Sequence, residues 1–464
     1  AIPNARASQW MEENIPLFEC SQKNFEEMYY YRWWTLRKHI KETPVGYGMT
    51  EFLVNRSYAD KYNLIACAIG HHIYESRWLR NPEYLNQIIH TWYRGNEGGP
   101  MAKMTKFSSW NADAVLGRYM VDGNKEFLLD MVKDLEAEYA RWEKTNRLPN
   151  GLYWQGDVQD GMEESISGGR RKQYARPTIN SYMYGNAKAL SLIGIMTGDE
   201  GMAMKYGLKA DSIKTLVQDK LWNTDHHFFE TMRGDASAEV REAIGYIPWY
   251  FNLPDASSKY TVAWKEVMDE KGFSAPYGLT TAERRHPEFR THGVGKCEWD
   301  GAIWPFASAQ TLTAMANFMN NYPQTVLTDS VYFHHMERYV ESQHHRGRPY
   351  IGEYLDEVTG YWLKGDQERS RYYNHSTFND LMITGLIGLR PRMDNTVEVN
   401  PLIPEGKWDY FCLDNVLYHG RNLTILWDKD GSRYQRGKGL HIYVDGKEVG
   451  HADTLTRVLC ENVL

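Results

Sequence analysis

The sequence has few cysteines, and none of them forms a recognisable pair. The 464 residues contain five, with no Cys-x-x-Cys spacing. This scatter argues against a disulfide framework and against a zinc cage. We therefore expect most of the thiols to be small buried apolar side chains, and we expect no metal or other cofactor. The cysteines are Cys20, Cys67, Cys297, Cys412 and Cys460.

Long apolar runs and basic stripes are also missing. No apolar run approaches the length needed to cross a bilayer, so no membrane partner is expected. The formal net charge is −7 and no stretch is rich in Lys and Arg, which argues against a nucleic-acid partner. The chain begins Ala-Ile-Pro without a signal peptide, so we expect either an exported protein whose signal was removed or a cytoplasmic one.

Several common enzyme motifs are absent as well. The sequence contains no Walker loop, no dinucleotide-binding fingerprint and no Gly-x-Ser-x-Gly elbow. What stands out instead is the aromatic content of 14%, with 16 Trp and 32 Tyr. These side chains combine a flat apolar face with a polar edge, which suits stacking on sugar rings. A large core would use the same residues, so composition alone does not decide between the two.

The hydrophobic pattern is helical up to about residue 390 and typical of strands after it. Eleven or twelve helices alternate with short turns and long loops, and no repeat of fixed period is visible. We therefore predict a mainly α fold, an (α/α)6 toroid of six hairpins over residues 1–390, followed by a small C-terminal β-sheet domain over residues 391–464. The predicted helices cover residues 24–41, 58–75, 82–93, 109–120, 125–145, 178–196, 201–221, 240–251, 259–267, 302–319, 325–343 and 377–387.

One Gly-rich loop between two predicted helices concentrates acidic residues beside aromatic ones. A carboxyl buried against an aromatic wall has its charged form desolvated, which raises its pKa and suits a general acid near neutrality. A solvated surface loop would have the same composition. The loop spans residues 153–169, its acids are Asp157, Asp160, Glu163 and Glu164, and its aromatic residues are Tyr153 and Trp154.

A second loop repeats this pattern about 190 residues later. Glu353 lies among Tyr350, Tyr354 and Trp362. Two opposed carboxyl groups are the apparatus of glycoside hydrolysis, one protonating the leaving oxygen and the other activating water. The two loops together therefore predict a sugar-cleaving site, provided that the fold brings them face to face.

The second loop also carries a family resemblance. Its segment Glu353-Tyr-Leu-Asp-Glu-Val-Thr-Gly360 resembles the Glu-Asn-Tyr-Asp-Pro-x-Thr-Gly segment of family 63 glycoside hydrolases and bacterial mannosylglycerate hydrolases. That segment holds the general base of those families, so the resemblance implies that Glu353 is the base. The same families are six-hairpin toroids, in agreement with the predicted fold.

The acidic loop resembles a second segment of these families. Gly161-Met-Glu-Glu-Ser165 is similar to their Ser-Gly-Met/Leu-Asp-Asn segment, whose Asp is the general acid. The resemblance implies Glu163 as the acid, with Glu where the families have Asp. Because of this departure, Asp157 and Asp160 remain alternative acids.

A third resemblance lies before a predicted inner helix. Glu298-Trp-Asp-Gly-Ala-Ile-Trp-Pro305 is similar to the Trp-x-Gly-x-Ile-Trp-Pro signature of the same toroids. Three further candidates come from the residues themselves. Trp110 and Trp154 fit either stacking platforms or the core, and His375 fits either sugar binding or a structural hydrogen bond. The predicted substrate-binding residues are Trp110, Trp154, Asp157, Trp299, Asp300, Trp304, Tyr354 and His375.

These expectations combine into an exo-acting glycoside hydrolase acting on an oligosaccharide or glycoconjugate by inversion, with carboxyl groups roughly 6.5–9.5 Å apart. The resemblance implies an α-linked glucose or mannose, and the loops show no clear basic cluster for uronates. The alternatives are a toroid phosphorylase, a polysaccharide lyase and a sugar-binding protein without activity. The sequence does not predict the oligomeric state.

Overall fold

The structure is mainly helical up to residue 386, with short strands in its loops, and made of strands beyond it. The computed structural model describes residues 1–292 and 297–464. Its α-helices are α1 (Ala7–Asn14), α2 (Lys23–His39), α3 (Ile69–Ser76), α4 (Pro82–Arg94), α5 (Asn111–Asp122), α6 (Lys125–Asn146), α7 (Pro177–Thr197), α8 (Glu200–Leu216), α9 (Ile247–Tyr250), α10 (Ser258–Thr261), α11 (Pro305–Asn321), α12 (Asp329–Ser342) and α13 (Asn379–Leu381). Short 3-10 helices are Asn4–Arg6, Lys61–Asn63, Ala66–Ala68, Asp157–Asp160, Ala243–Tyr246, Val262–Val267 and Glu368–Ser370, and π turns at Val217–Leu221 and Met382–Leu386 extend α8 and α13.

Alternate helices of the chain form a closed inner ring. Helix α3 packs against α5, α5 against α7, α7 against α9, α9 against α11, α11 against α13, and α13 returns to α3. The intervening helices form an outer layer, with α6 on α5 and α7, α8 on α7, and α12 on α11 and α2. This arrangement confirms the predicted (α/α)6 toroid.

The inner and outer helices differ in how much of their surface is buried. Helix α7 of the inner ring buries 15 of its 21 residues, whereas its outer partner α8 buries four of 17. A helix enclosed by neighbours is apolar on most sides, while an outer helix needs only one apolar stripe. Within the described residues, no helix is both long and apolar enough to span a bilayer.

The beginnings of the inner helices are defined by local sequence. Pro177, Pro248 and Pro305 stand in the first turns of α7, α9 and α11, where the missing N–H costs no helical hydrogen bond. Helix α13 has a carboxylate instead, because Glu75 accepts hydrogen bonds from the backbone N–H groups of residues 378, 379 and 380 at 2.8–3.2 Å. Long loops lead into α7, α11 and α13, so they converge on one end of the ring.

The C-terminal strands form two antiparallel sheets, as the sequence predicts. A five-stranded sheet has the order β1-β16-β17-β18-β19 and a three-stranded sheet the order β14-β15-β20. Strand β1 comes from the N-terminal segment, so residues 391–464 do not build the larger sheet alone. The strands are β1 (Leu17–Cys20), β2 (Ile40–Thr43), β3 (Gly46–Met49), β4 (Trp154–Gln155), β5 (Tyr174–Ala175), β6 (Trp222–Asn223), β7 (Phe228–Phe229), β8 (Met232–Arg233), β9 (Ala236–Ser237), β10 (Ser274–Ala275), β11 (Gly278–Leu279), β12 (His344–His345), β13 (Arg348–Pro349), β14 (Leu389–Arg390), β15 (Val397–Val399), β16 (Tyr410–Tyr418), β17 (Arg421–Asp428), β18 (Gly439–Val444), β19 (Lys447–Ala452) and β20 (Val458–Cys460).

One predicted helix is wrong over most of its length. The pattern predicts a helix over residues 58–75, but α3 begins only at Ile69. Tyr62 and Asn63 have φ values of 61°, a left-handed conformation that an α-helix does not contain. The side chain of Asn63 also donates to the carbonyls of Phe52 and Val54 at 3.0 and 3.2 Å, which holds this segment as a loop.

The cysteines match their prediction. All five lie in the described part of the chain and are unpaired, and Cys20, Cys67 and Cys460 are buried.

Candidate active site

Residues from four loops, each leading into a different inner helix, meet at one end of the ring. These are Glu51 before α3, Glu163 before α7, Cys297 before α11 and Glu353 before α13. The Cys297 thiol lies 3.3 Å from a Glu163 oxygen, and the charges of Glu353 and Glu163 both act on Glu51. The two carboxyl groups that the sequence predicts in distant loops therefore share one site.

Glu163 is placed in surroundings that favour its protonated form. Burial raises the pKa of this carboxyl, and the negative charge of Glu353 raises it further. The Cys297 thiol, which donates to Oε1, and the Lys364 ammonium act in the opposite direction. A raised pKa is the direction of shift that suits a general acid, which must carry a proton.

The loop that carries Glu163 is fixed by a close approach at Gly161. This residue has a φ of 72°, in the left-handed region that favours glycine. A Cβ there would lie 2.8 Å from the Cys67 sulfur and 3.7 Å from the Trp304 ring. The glycine thus lets the acidic loop pack directly against the segment that leads into α11.

Glu353 faces cations. Its buried carboxylate accepts hydrogen bonds at Oε2 from Lys364 Nζ at 3.3 Å and from Arg369 Nη2 at 3.2 Å. Two positive groups compensate the negative charge in this water-poor position. The backbone carbonyl of Glu353 lies 3.3 Å from Nε2 of His375, which ties the loop to the start of α13.

A third carboxyl, Glu51, was missed by sequence reasoning. Burial, together with the charges of Glu353 and Glu163, raises its pKa to about 8, although the Tyr373 hydroxyl that donates to Oε1 at 2.6 Å opposes the shift. Its Oε2 is buried and has no hydrogen-bond partner among residues 1–292 and 297–464. No acidic cluster or motif surrounds Glu51 in the sequence, so no local signal marks it.

Three of the predicted aromatic residues pack together beside the acidic loop, where the Trp304 ring lies 3.7 Å from the Cβ position of Gly161. Trp299 stacks on Trp304 with ring centroids 4.4 Å apart, and Tyr354 meets Trp299 edge-on at 5.1 Å. His375 lies 6.2 Å from the Trp304 ring. Burial lowers the pKa of His375 well below its usual value, so the imidazole is neutral, and its Nδ1 has no partner in the described part of the chain. Four of the predicted binding residues thus lie together.

Asp300 organises its own loop. One carboxylate oxygen accepts a hydrogen bond from the backbone N–H of His292 at 2.9 Å. The side chain is fully buried. The contact of this oxygen is within the protein, whereas the buried Oδ1 has no hydrogen-bond partner among the described residues.

Asp160 is already fully engaged by protein groups. Its carboxylate forms an ion pair with Arg176 at 2.6 Å and accepts hydrogen bonds from the hydroxyls of Thr178 and Ser108. Neither member of the ion pair has exposed side-chain surface. A carboxylate in this setting holds the loop against α7 and has no free oxygen from which to protonate a sugar.

Asp157 is engaged in a similar way by the backbone. It accepts hydrogen bonds from the N–H groups of Val158 and Arg171 at 2.8 Å and of Arg170 at 3.2 Å. A Cβ on Gly168 would lie 2.3 Å from its carboxylate. The structure gives Asp157 the role of closing the acidic loop on itself, and it does not support the predicted contact with substrate.

The prediction of Trp110 as a stacking platform is wrong. The side chain has 0% exposure and is enclosed by the rings of His71, Tyr182 and Tyr250. Its position at the start of an inner helix puts it inside the ring of helices, where no face is left for a sugar. Trp154 is partly exposed in β4, and its role in stacking stays a prediction.

One group of side chains outside this site has the spacing of metal ligands. In the described residues, ligand atoms of His226, Glu230 and Glu239 lie within 4.8 Å of one another. Both imidazole nitrogens already face a carboxylate, with Glu230 at 2.5 Å and Glu239 at 3.3 Å. The short distances in this cluster are therefore explained by the contacts of His226 with the two carboxylates.

Two family models match the chain. The model described as a mannosylglycerate hydrolase MGH1-like glycoside hydrolase domain matches residues 61–376, and the model of the C-terminal domain of glycosyl hydrolase family 65 matches residues 389–451. The first match contains Glu163 and Glu353, and the second corresponds to the strands that follow α13.

Solved structures resemble the chain at two levels. A structure named sialidase is 84% identical with a TM-score of 0.99, and the match covers 100% of this chain but 43% of that one. The chain therefore spans less than half of that relative. Family 63 mannosylglycerate hydrolase from Thermus thermophilus in complex with glucose is 11% identical (TM-score 0.56, 77% of this chain and 99% of that one). Family 78 rhamnosidase of a Bacillus species is 12% identical (TM-score 0.59, 89% and 40%). These last two show a shared fold.

Proposed function

The chain belongs to the mannosylglycerate hydrolase MGH1-like glycoside hydrolase family, and from this premise we propose an exo-acting, inverting hydrolase with Glu163 as general acid and Glu353 as general base. The observation that carries the proposal is the contrast between two coupled carboxyl groups. Glu163 is desolvated, which raises its pKa, while Glu353 faces Lys364 and Arg369. When two neighbouring carboxyl groups have environments that differ in this way, the desolvated one suits the general acid and the one that faces cations suits the general base.

The proposed reaction is a single displacement. The Glu163 carboxyl gives its proton to the glycosidic oxygen as the bond from that oxygen to the anomeric carbon breaks. Glu353 removes a proton from a water molecule, whose oxygen forms the new bond on the opposite face of the sugar. The anomeric configuration inverts, and the two carboxyl groups exchange protonation states until solvent restores them.

Glu51 is proposed as a substrate-binding residue of the same site. With a pKa of about 8 its carboxyl is protonated at neutral pH. Tyr373 already occupies Oε1, so the unpartnered Oε2 is free to donate a hydrogen bond to a sugar hydroxyl. A neutral donor beside two other carboxyl groups avoids a third negative charge in a desolvated site.

A phosphorylase is the second candidate because two cations lie where a phosphate would need them. Lys364 and Arg369 both point at one position. That position is occupied by the carboxylate of Glu353, which would repel a phosphate dianion. The arrangement therefore favours water as the nucleophile.

The test is a panel of chromogenic glycosides, including α-glucosides, α-mannosides, α-rhamnosides and sialosides, with and without phosphate. We expect release of a terminal sugar without phosphate, and NMR of the first product should show the inverted anomer. Retention of configuration would contradict the mechanism, and strict phosphate dependence would favour the phosphorylase. Formation of an unsaturated uronate instead would identify a lyase.

A further inference from the structure

A wide groove lies next to the candidate site on the outer side of the 343–378 loop. It has a volume of about 990 Å³. One wall is the face of α2 that carries Tyr31 and Trp34, and the other is formed by residues 345–350 and 365–372. The groove is separate from the carboxyl cluster, although the same loop builds both.

The α2 wall of the groove and the residues beside it are aromatic. Tyr31 and Trp34 stand one turn apart on α2 with ring centroids 6.1 Å apart and an interplanar angle of 24°. Tyr372 meets Trp34 edge-on at 5.5 Å, and Tyr350 also lines the groove. Flat rings of this kind are the surfaces on which sugar rings stack.

Positive side chains lie over and around these rings. Lys38 Nζ is 4.1 Å from the Trp34 ring, and the guanidinium of Arg371 is 4.8 Å from the Tyr372 ring. Arg348 and Arg371 are exposed, and neither has an ion-pair partner within the described ranges 1–292 and 297–464. Burial and the neighbouring charges of Arg37, Arg371 and Lys41 lower the pKa of Lys38, which shows that positive charge is crowded here.

The acids of the groove do not balance these cations. Asp366 is bound by Arg346 at 2.9 Å and by the Tyr361 hydroxyl at 2.7 Å, and its other neighbour is His345 at 3.4 Å. Glu368 is the other acid among the lining residues. A locally positive groove in a chain of net charge −7 is complementary to an anionic ligand.

The sequence showed no basic cluster for acidic sugars because these cations are scattered. Lys38 lies on a helix more than 300 residues before Arg348 and Arg371. Folding brings them together.

One segment of the chain borders both the groove and the catalytic cluster. Along the segment that follows α12, Glu368, Arg371 and Tyr372 face the groove, whereas Arg369 reaches Glu353 and Tyr373 reaches Glu51. The groove and the carboxyl groups therefore lie on opposite sides of this segment.

We propose that this groove binds the acidic part of a carbohydrate chain, with sugar rings on Trp34 and Tyr372 and a carboxylate or sulfate held by Arg348 and Arg371. Bidentate recognition of such anions is the chemistry in which arginine excels. The inference rests on the proposed function only in taking the occupant to be a carbohydrate. It adds a ligand class, namely glycans that carry acidic residues.

The experiment measures binding by isothermal titration calorimetry on the Glu163→Gln variant, which prevents turnover from consuming the ligand. The probes are trigalacturonate, a sulfated galactan trisaccharide, maltotriose and the oligonucleotide hexathymidylate, at low and high salt. We expect an acidic trisaccharide to bind, with an affinity that falls as salt rises, while maltotriose binds at least about tenfold more weakly. The two acidic probes show which anion is preferred, and either one supports the proposal.

The site is located by a double variant and a matched control. Arg348→Gln with Arg371→Gln should weaken the acidic trisaccharide by at least about tenfold, whereas Arg436→Gln, at an exposed arginine of the C-terminal β region, should change nothing. Equal binding of maltotriose, tighter binding of hexathymidylate, no binding of any acidic sugar, or an unaffected double variant would each overturn the proposal. Turnover of aryl glycosides is measured in parallel: activity without groove binding removes only this inference, and binding without activity removes only the hydrolase.

Discussion

Two carboxyl groups three residues apart in the same loop have opposite environments. Asp160 is held by Arg176, Thr178 and Ser108, while Glu163 has a neutral thiol and a repelling carboxylate for neighbours. The first is a buried ion pair, and the second is a carboxyl group whose pKa is raised by burial and by the charge of Glu353. The partners of each carboxyl group in this loop therefore determine its role. A carboxylate paired with a buried cation stabilises the fold, whereas a desolvated carboxyl group without such a pair is available for chemistry.

We expect the largest loss of activity on substitution of Glu163 or Glu353, and little loss on substitution of the adjacent Glu164. Glu163→Gln and Glu353→Gln should each lower kcat by about 10²–10⁴-fold, because each removes a proton transfer. Glu163→Gln should leave thermal unfolding unchanged, whereas Glu353→Gln should also lower stability because Lys364 and Arg369 lose their carboxylate partner. Glu164→Gln is the matched control, since Glu164 pairs with Arg170 on the surface of the same loop. Near-normal turnover in either catalytic variant would remove that residue from the mechanism.

Asp160→Asn should show the reverse pattern. Breaking a buried pair leaves Arg176 uncompensated, so we expect a loss of about 3–5 kcal/mol in unfolding free energy, measured by urea denaturation. Activity per folded molecule should be retained at temperatures well below the unfolding transition. A variant that is stable yet inactive would instead make Asp160 the general acid.

Substitution of Glu51 should have a smaller effect, a change in how the melting temperature depends on pH. Its pKa of about 8 lies above the unfolded value of 4.5, so between these values the folded state binds a proton that the unfolded state has released. Stability should therefore fall as pH rises through this window. The melting temperature of Glu51→Gln, which cannot ionise, should decline less than that of the wild type between pH 5 and 8. Parallel pH profiles for the two proteins would show that Glu51 is ionised or exposed.

We expect the smallest effect, a shift in the pH dependence of kcat/KM, on removal of the Cys297 thiol beside Glu163. The Cys297 hydrogen bond lowers the pKa of Glu163, so Cys297→Ala should raise it and move the alkaline limb of kcat/KM to higher pH. Activity falls on that limb because the acid loses its proton. Cys412→Ala, at a partly exposed cysteine in the β-sheet, should leave the limb in place. A shift toward lower pH in Cys297→Ala would contradict the contact.

Local patterns predicted most of the ring but failed where the chain leaves regular structure. Helices α6 and α7 lie within two residues of their predicted bounds because their apolar periodicity continues to a clear turn. The helix predicted over 58–75 failed because the left-handed residues Tyr62 and Asn63 interrupt it. Trp110 was misplaced because aromatic residues of the core and of a sugar site are the same in sequence.

The amino-acid sequence by itself determined the alternation of buried and half-buried helices, the proline starts of α7 and α11, and the two acid-bearing loops, one before α7 and the other before α13. Each of these depends on residues close together in the chain. The tertiary structure alone decided that Glu51 joins Glu163 and Glu353, that Asp160 is neutralised by Arg176, and that distant cations form one groove. Burial and charge pairing depend on distances in space, and the separations here reach more than 300 residues.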